Sequence, residues 1–358
     1  MRRPTRCWVF WALTGLLLPL WAGCGGGPAG TGPEAGRDQG AGPKLLFITN
    51  SNADWWNAVE KGMDDGGKEF GCQVQLRRNN GDTQGQVDRL REALTLPGIQ
   101  GVAVSVIEAD APGVIDAMRE LKKAGKVVIA IDSDVAKDFH DARQAYIGTN
   151  NVKAGEAAGK AAALLRPKGG KVAVFVGTAA AANARDRRDG FFLGAGDAFP
   201  QGQSQTWEDG GDHTKALTNV QTAVTRDPNL DTLLGLWSYN APAIAEVVQG
   251  SPKLRKQTTV VTFDLDEATV GHIERGDIDV SVCQNPYEMG FQGVRLLKAL
   301  IDKDDATVKE VLPDGETRDT GVRVIVPTAD SPVKKLGENV ITIEEMKSWL
   351  ASKGLKSS

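Results

Sequence analysis

Two apolar segments in different halves of the chain end in closely spaced aspartates. KVVIAIDSD spans residues 126–134 and TVVTFDLD spans residues 259–266. An uninterrupted run of Val and Ile predicts a parallel strand buried on both faces, and ligands collect where such strands end. We therefore expect the carboxylates of Asp132 and Asp264 to lie at one ligand crevice and to accept hydrogen bonds there. Helix N-capping is the alternative role for both residues, because each stands just before a predicted helix.

Alternating strand and helix patterns must position these acids. Apolar runs bounded by turn residues recur between stretches with helical spacing, which predicts an α/β fold of two doubly wound parallel-sheet lobes joined by a three-strand hinge. The chain is expected to cross between the lobes near 148–151, near 284–286 and at about 320. The predicted boundaries are 44–148 plus 285–320 for the N-terminal lobe, 149–284 plus 321–330 for the C-terminal lobe, and 331–358 for a polar tail with a helix at 343–350.

The N-terminus predicts export. Arg2, Arg3 and Arg6 give a positive start, an apolar stretch follows, and small residues precede Cys24. Residues 1–23 therefore predict a signal peptide, and the apolar stretch is too short for a membrane-spanning helix. The tract W-A-G-C resembles the lipobox of bacterial lipoproteins, which implies acylation of Cys24, with plain secretion as the alternative.

The segment 24–43 is rich in Gly and Pro and contains charged residues, so it cannot bury a core and is expected to be a flexible tether. A net charge of −4 and the lack of a basic cluster argue against nucleic acid as a partner.

Metal and cofactor chemistry is not expected from this sequence. The histidines His140, His213 and His272 stand far apart, outside any metal-ligand spacing. No phosphate-binding loop or nucleophile-elbow motif occurs, so neither a cofactor nor an enzyme activity is predicted. Cys72 and Cys283 lie in two predicted strands, where they are expected to be small buried hydrophobes, and a disulfide is the alternative.

Five motifs in a fixed order resemble those of a known family. They are ITNSNADWWNAVEKG, AIDSD, NARDRRDGF, TFDLD and VCQNP. Over residues 44–327 the chain resembles the ribose-binding-protein-like group of periplasmic substrate-binding proteins, which feed sugar transporters of the ABC type. The resemblance implies a type I periplasmic binding protein clamshell that closes on one sugar and presents the closed form to a permease. Two acids could instead hydrolyse a glycoside, but the resemblance implies a protein that is not catalytic.

The predicted ligand site combines aromatic and charged groups. A sugar ring has apolar C–H faces and a rim of hydroxyls, so its site needs flat rings and hydrogen-bonding side chains. Thr49, at the end of the first strand, is a candidate ligand contact. Trp55 and Trp56 follow that strand, although the spacing of Trp56 also fits a core residue of the next helix. The resemblance implies that Asp132 and Asp264 bind hydroxyls and that Arg185 reaches them from the second lobe.

Further candidates come from the same comparison of motifs. Gln284 stands at a crossing, Ser105 follows the third strand, and either Tyr239 or Asn240 is expected to line the second lobe. The chain departs from the ribose pattern at Ser133, where an arginine is usual, and at residues 210–212, where GGD replaces an aromatic. Trp237 could supply that missing surface.

These features predict an extracytoplasmic lipoprotein, periplasmic or at the cell surface, anchored by its N-terminal lipid. Its expected ligand is a pentose, a hexose, a polyol or another small polar molecule, and its expected partner is an ABC transporter permease. A ligand-sensing adaptor for a membrane sensor kinase or chemoreceptor is the alternative function.

Overall fold

A computed structural model describes residues 42–358 of this protein. The strands of the first sheet are β1 (Lys44–Ile48), β2 (Gln73–Arg77), β3 (Ile99–Val104), β4 (Val127–Ile131), β5 (Ala145–Gly148) and β11 (Thr317–Asp319). All six are parallel, in the order β11-β5-β4-β3-β1-β2.

The second sheet repeats this arrangement with seven strands in the order β13-β12-β10-β9-β8-β6-β7. All pairs are parallel except β10 with β12. Its strands are β6 (Val172–Val176), β7 (Ser204–Glu208), β8 (Thr232–Gly235), β9 (Thr259–Phe263), β10 (Val280–Cys283), β12 (Arg323–Val326) and β13 (Val340–Thr342).

Helices cover both faces of each sheet. The first lobe contains α1 (Trp56–Phe70), α2 (Thr83–Thr95), α3 (Pro112–Lys123), α10 (Pro286–Asp302) and α11 (Asp305–Val311). The second lobe contains α4 (Asn151–Leu165), α5 (Ala182–Ala195), α6 (His213–Arg226), α7 (Asn240–Gln249), α8 (Pro252–Gln257), α9 (Glu267–Glu274) and α12 (Ile343–Ser352). Short 3-10 segments cover Lys137–Ala142, Gly196–Ala198, Gln201–Gln203 and Pro332–Leu336.

Each sheet carries a buried apolar cluster on both of its faces. Helix α10 follows strand β10 of the second sheet in the chain but packs against α1 of the first lobe. This packing is close: a Cβ on Gly62 would lie 1.9 Å from the Tyr287 carbonyl oxygen, and one on Gly290 would lie 2.1 Å from the Val59 carbonyl oxygen. Glycine at these two positions lets the helix backbones touch.

The chain passes between the sheets at three places. The crossings lie between β5 and α4, between β10 and α10, and between β11 and β12. Two doubly wound lobes with three connections are the predicted fold class, which the structure confirms. The stretch expected as a polar tail instead extends the second lobe, because β13 pairs with β12 and the backbone of Ser358 pairs with that of Leu265. The predicted helix within it is α12.

Cys72 and Cys283 are both buried and unpaired with each other, as expected. None of the helices in residues 42–358 is long and apolar enough to cross a membrane. The predicted signal peptide, the acylation site Cys24 and nearly all of the tether lie outside the described residues.

Candidate ligand-binding site

A cavity lies between the two lobes at the ends of several sheet strands. It contains about 410 Å³ of empty space, counting the part that is open to solvent. Its walls come from both lobes, because β1, β4 and β9 each end at or shortly before residues that line it. The lining residues are Asn50, Ser51, Ala53, Trp55, Trp56, Asp132, Asn183, Arg187, Trp237, Ser238, Tyr239, Asp264 and Gln284.

Asp132 directly follows β4 and is buried, with 5 % of its surface exposed. Its Oδ2 accepts a hydrogen bond of 2.7 Å from the Ser105 hydroxyl and one of 3.2 Å from the Asn50 amide. Burial raises the pKa of Asp132 to about 6, while the Arg187 guanidinium and the Ser105 hydroxyl oppose that rise. Ser105 therefore holds the carboxylate from behind and does not itself line the cavity.

Asp264 directly follows β9 and is anchored to a crossing between the lobes. Its Oδ1 accepts from the Gln284 backbone N–H at 3.0 Å, and its Oδ2 accepts from the Gln284 side-chain amide at 2.9 Å. Gln284 in turn accepts a 2.9 Å hydrogen bond from the Thr149 hydroxyl, which stands at another crossing. Burial raises the pKa of Asp264, and Arg187 and Gln284 lower it. Gln284 thus lines the cavity and links two of the three connections.

Neither aspartate caps a helix. Asp266 caps α9 by accepting from the Thr269 backbone N–H, and the 3-10 segment after Asp132 begins only beyond Ala136. The capping alternative is therefore wrong for both residues, and their carboxylates remain available at the cavity.

Arg187, and not Arg185, is the arginine of this site. Arg187 is 1 % exposed, and its Nη1 lies 3.9 Å from Oδ2 of Asp264. Its Nε donates to Asn151 Oδ1 at 2.9 Å, its Nη1 donates to the Leu236 carbonyl at 2.7 Å, and its guanidinium stacks 4.7 Å from the centre of the Phe263 ring.

The predicted position of Arg185 is wrong because of helix periodicity. Both arginines lie on α5, and two residues along an α-helix turn the side chain by about 200°. With Arg187 facing inward, Arg185 points away and donates to the Ala180 carbonyl instead. Asn183, one turn before Arg187, shares its face and also lines the cavity. The buried Phe191, one turn later, is the sequence signal that would have chosen the correct arginine.

Trp55 and Trp56 form one wall of the cavity, as predicted. Their rings meet edge to face with centroids 5.0 Å apart. Trp56 also belongs to the apolar core of the first lobe, and its indole N–H donates to the Ser51 hydroxyl at 3.2 Å. Both interpretations of Trp56 therefore hold, whereas the Trp55 indole N–H makes no hydrogen bond of normal geometry but lies close enough to Asp264 to lower the pKa of that carboxyl.

Trp237 and Tyr239 line the second-lobe wall, and Asn240 supports them from behind. The Asn240 side chain accepts from the Trp237 backbone N–H at 3.1 Å and donates to Asp209 at 3.0 Å. Asp209 also accepts a 2.5 Å hydrogen bond from the Tyr239 hydroxyl. Of the two alternatives at this position, Tyr239 is thus the residue at the cavity.

Thr49 and Ser133 are buried but do not line the cavity. The Thr49 hydroxyl shapes the loop after β1, since it donates to the Ser51 carbonyl at 2.6 Å and accepts from the Asn79 N–H at 2.9 Å. The lining residues that the sequence did not reveal are Asn50, Ser51, Ala53, Asn183, Arg187 and Ser238. Most of them lie in loops, where no periodic pattern indicates which side chain faces inward.

Four buried polar atoms at the cavity make no hydrogen bond of normal geometry within the protein: Trp55 Nε1, which lies near the Asp264 carboxylate, Asn183 Oδ1, Arg187 Nη2 and Trp237 Nε1. Buried polar groups are normally paired, and leaving one unpaired costs about 1–3 kcal/mol. Three donors and one acceptor that converge on one space suit a ligand rich in hydroxyl groups. The part of the chain that the structure describes contains no cluster of three or more His, Cys, Asp or Glu side chains that could hold a metal ion.

Two sheet-and-helix lobes with a polar and aromatic cavity between them define a bilobal binding protein. The family model described as "Periplasmic binding protein domain" matches residues 45–305, and this chain belongs to that family. The resemblance to ribose-binding-protein-like proteins is thereby confirmed.

Individual relatives agree with this membership. The D-allose-binding periplasmic protein of Escherichia coli (strain K12) is 28 % identical over 270 residues, which cover 71 % of this chain and 82 % of the relative. A solute-binding protein of an ABC transporter from Agrobacterium vitis, solved with bound D-fucose, has a TM-score of 0.72 at 23 % identity and covers 82 % of this chain and 98 % of its own. A chain in a solved XylFII–LytSN complex has a TM-score of 0.69 at 20 % identity, with coverages of 80 % and 99 %.

Proposed function

We propose that this protein is an extracytoplasmic solute-binding lipoprotein that closes on a monosaccharide or a similar small polyhydroxylated ligand and delivers it to an ABC transporter permease. The observation that carries the proposal is the set of unpaired donors and one unpaired acceptor beside two carboxylates and three indole rings. Trp55 provides a ring for the C–H face of a sugar, while Asp132, Asp264 and Arg187 provide hydrogen bonds for its hydroxyls. The relatives named for D-allose and solved with D-fucose support the same ligand class.

Binding requires that the lobes enclose the ligand almost completely. A micromolar affinity corresponds to about −8 kcal/mol, so each heavy atom of a monosaccharide must contribute roughly 0.7 kcal/mol. Contact from both lobes at once supplies that much and also favours the closed state, because the ligand binds the closed form more tightly. The network from Asp264 through Gln284 to Thr149 would couple ligand contact to the crossings.

A binding screen tests the ligand class. We expect at least one sugar from a panel of pentoses, hexoses and polyols to raise the melting temperature of the purified protein and to shift its tryptophan fluorescence. The fluorescence change is expected because Trp55, Trp56 and Trp237 all line the cavity. If amino acids or nucleosides stabilise the protein and no sugar does, the ligand class is wrong.

The anchor and the compartment are parts of the same proposal. Residues 1–23 would be removed and Cys24 acylated, which holds the protein outside the cytoplasm on a membrane. Metabolic labelling with a fatty acid tests this: the wild-type protein should carry the label, and the Cys24→Ala variant should not. A wild-type protein without label would favour plain secretion.

A sensing adaptor is the second candidate function. The similarity in fold to a chain of the XylFII–LytSN complex favours it, because there the fold is found together with a second protein. Transport predicts that deletion of the gene abolishes uptake of the bound sugar. Sensing predicts that uptake continues while transcription no longer responds to that sugar.

A further inference from the structure

A second cavity, here called the outer chamber, adjoins the inner cavity. It contains about 990 Å³ of empty space, again counting the part that is open to solvent. The two cavities share the lining residues Asn50, Ser51, Ala53, Trp237 and Tyr239, so one space continues into the other. The outer chamber adds residues of both lobes, among them Asn52, Asn80, Thr178, Gly210, Gly211 and His213.

A stacked pair of rings lies at the wall of the outer chamber. The rings of His213 and Tyr239 are nearly parallel, with an interplanar angle of 9° and centroids 4.8 Å apart. The Tyr239 ring is held by its hydrogen bond to Asp209. The backbone of His213 is held in place because it is the first residue of α6. Because each ring covers one face of the other, the face of His213 that points away from Tyr239 is the flat surface left for the C–H face of a sugar ring.

Two glycines form the turn beside this ring pair. Gly210 and Gly211 have φ values of 70° and 84°, and a Cβ built on either would meet no atom within 4 Å. The Gly211 backbone N–H donates to Asp209 at 2.8 Å, so the same carboxylate that holds Tyr239 also fixes the glycine turn. Asp209 therefore holds both Tyr239 and the glycine turn in place.

The remaining lining favours a hydroxylated group over an anionic one. Asn52, Asn80 and Thr178 offer amides and a hydroxyl, Asp54 offers a carboxylate, and the described residues of the outer chamber include no Lys or Arg. A phosphate or another anionic group would therefore find no lysine or arginine to pair with there, whereas hydroxyls can pair with amides and with a carboxylate.

We propose that the outer chamber is a second sugar subsite and that the ligand of this protein is a disaccharide. One ring occupies the inner cavity beside Asp132, Asp264 and Arg187, and the second ring packs against the His213–Tyr239 pair. This inference rests on the proposed function, because the first ring uses the inner site. A monosaccharide fills the inner cavity alone, where Tyr239 also lines the wall, and leaves the His213 ring without contact.

Calorimetric titration of the purified protein tests the subsite. The probes are maltose, cellobiose, lactose, trehalose and xylobiose, each compared with its component monosaccharides. We expect at least one disaccharide to bind tenfold or more tightly than either component. The inference is overturned if monosaccharides bind and no disaccharide binds more tightly, and in that case the proposed function still stands. If no sugar of either kind binds, both proposals fail.

Variants at the His213–Tyr239 pair test whether the outer chamber is a sugar subsite or only the entrance to the inner cavity. His213→Ala should weaken the disaccharide at least fivefold while the monosaccharide stays within twofold, and His213→Phe should keep the disaccharide affinity because it keeps a flat ring. The matched control is His140→Ala, at a partly exposed histidine of the first lobe, and it should change neither affinity. Equal behaviour of His213→Ala and His140→Ala would overturn the inference.

A filling variant tests the space itself. Thr178→Trp should abolish the preference for the disaccharide and leave monosaccharide binding within twofold, because the inner cavity is unchanged. Retention of the full disaccharide preference in this variant would contradict the subsite. Melting curves of each variant establish that the fold is intact.

Discussion

Asp132 and Asp264 occupy equivalent positions in the two lobes. Each is the first residue after the fourth strand of its lobe, each is buried, and their φ values are 60° and 61°. Of the described residues other than glycine, only Lys303 shares a positive φ. Asp and Asn tolerate this left-handed conformation better than other side chains, and unusual backbone geometry is common at ligand sites. The two lobes thus present the same acid in the same backbone geometry to one cavity.

Backbone geometry at Asp264 makes a prediction about stability. Both Asp264→Gly and Asp264→Ala remove the carboxylate, but only alanine pays about 1–2 kcal/mol for a left-handed conformation. The glycine variant in turn loses about 0.4–1 kcal/mol of stability relative to alanine, because glycine gives the unfolded chain more conformational entropy. We expect the glycine variant to have the higher free energy of unfolding, by roughly 0.5–1 kcal/mol, as measured by urea denaturation.

The control for that comparison is Asp189, an exposed residue of α5. There Asp189→Ala should be more stable than Asp189→Gly by about 1 kcal/mol, since alanine is the better helix former. The same order of stability at both positions would contradict the structural account of Asp264.

Arg187 should be essential for tight binding, whereas Arg185 should not. Arg187→Lys keeps the charge but loses the planar fork that reaches Asn151 and Leu236 and offers a free Nη2. We expect the affinity for the bound sugar to fall by about 2 kcal/mol, or roughly 30-fold, in calorimetric titration. The matched variant Arg185→Lys should keep a sugar affinity within twofold of wild type. Comparable losses of affinity in both variants would mean that Arg185 also contributes to the site.

The buried Asp132 should make stability depend on pH. Its folded-state pKa of about 6 lies above the ordinary value of 3.8, so between these values the folded state binds more protons than the unfolded state. The free energy of unfolding should therefore fall as pH rises from about 4 to about 6, by at most about 3 kcal/mol from this residue. Above pH 6 this contribution should no longer change.

Asp132→Asn isolates that contribution, because asparagine has no titrating group and tolerates a positive φ. Urea denaturation gives the free energy of unfolding of wild type and variant at each pH from 4 to 7. The difference between the two free energies should become smaller as the pH falls. Parallel curves over the whole range would mean that Asp132 titrates normally in the folded protein.

Local patterns were enough to predict most of the strands and helices and the two acids. Helix α1 begins at Trp56 and ends before Gly71, whose φ of 67° suits the left-handed end of a helix, as the spacing of apolar residues indicated. The apolar runs before Asp132 and Asp264 became central parallel strands because a strand covered on both faces must be apolar throughout. The family resemblance then identified both carboxylates and the paired tryptophans.

The sequence by itself determined which elements form and which of them end in acids, because those properties depend on neighbours along the chain. Only the tertiary structure decided that Arg187 faces the cavity, that residues after 331 complete the second sheet, and that Asp209 holds Tyr239 beside an open glycine turn. The rotation of a helix about its axis and the path of a loop are set by packing between distant segments. Local sequence patterns therefore do not reveal which side of a helix or which loop residue faces the cavity.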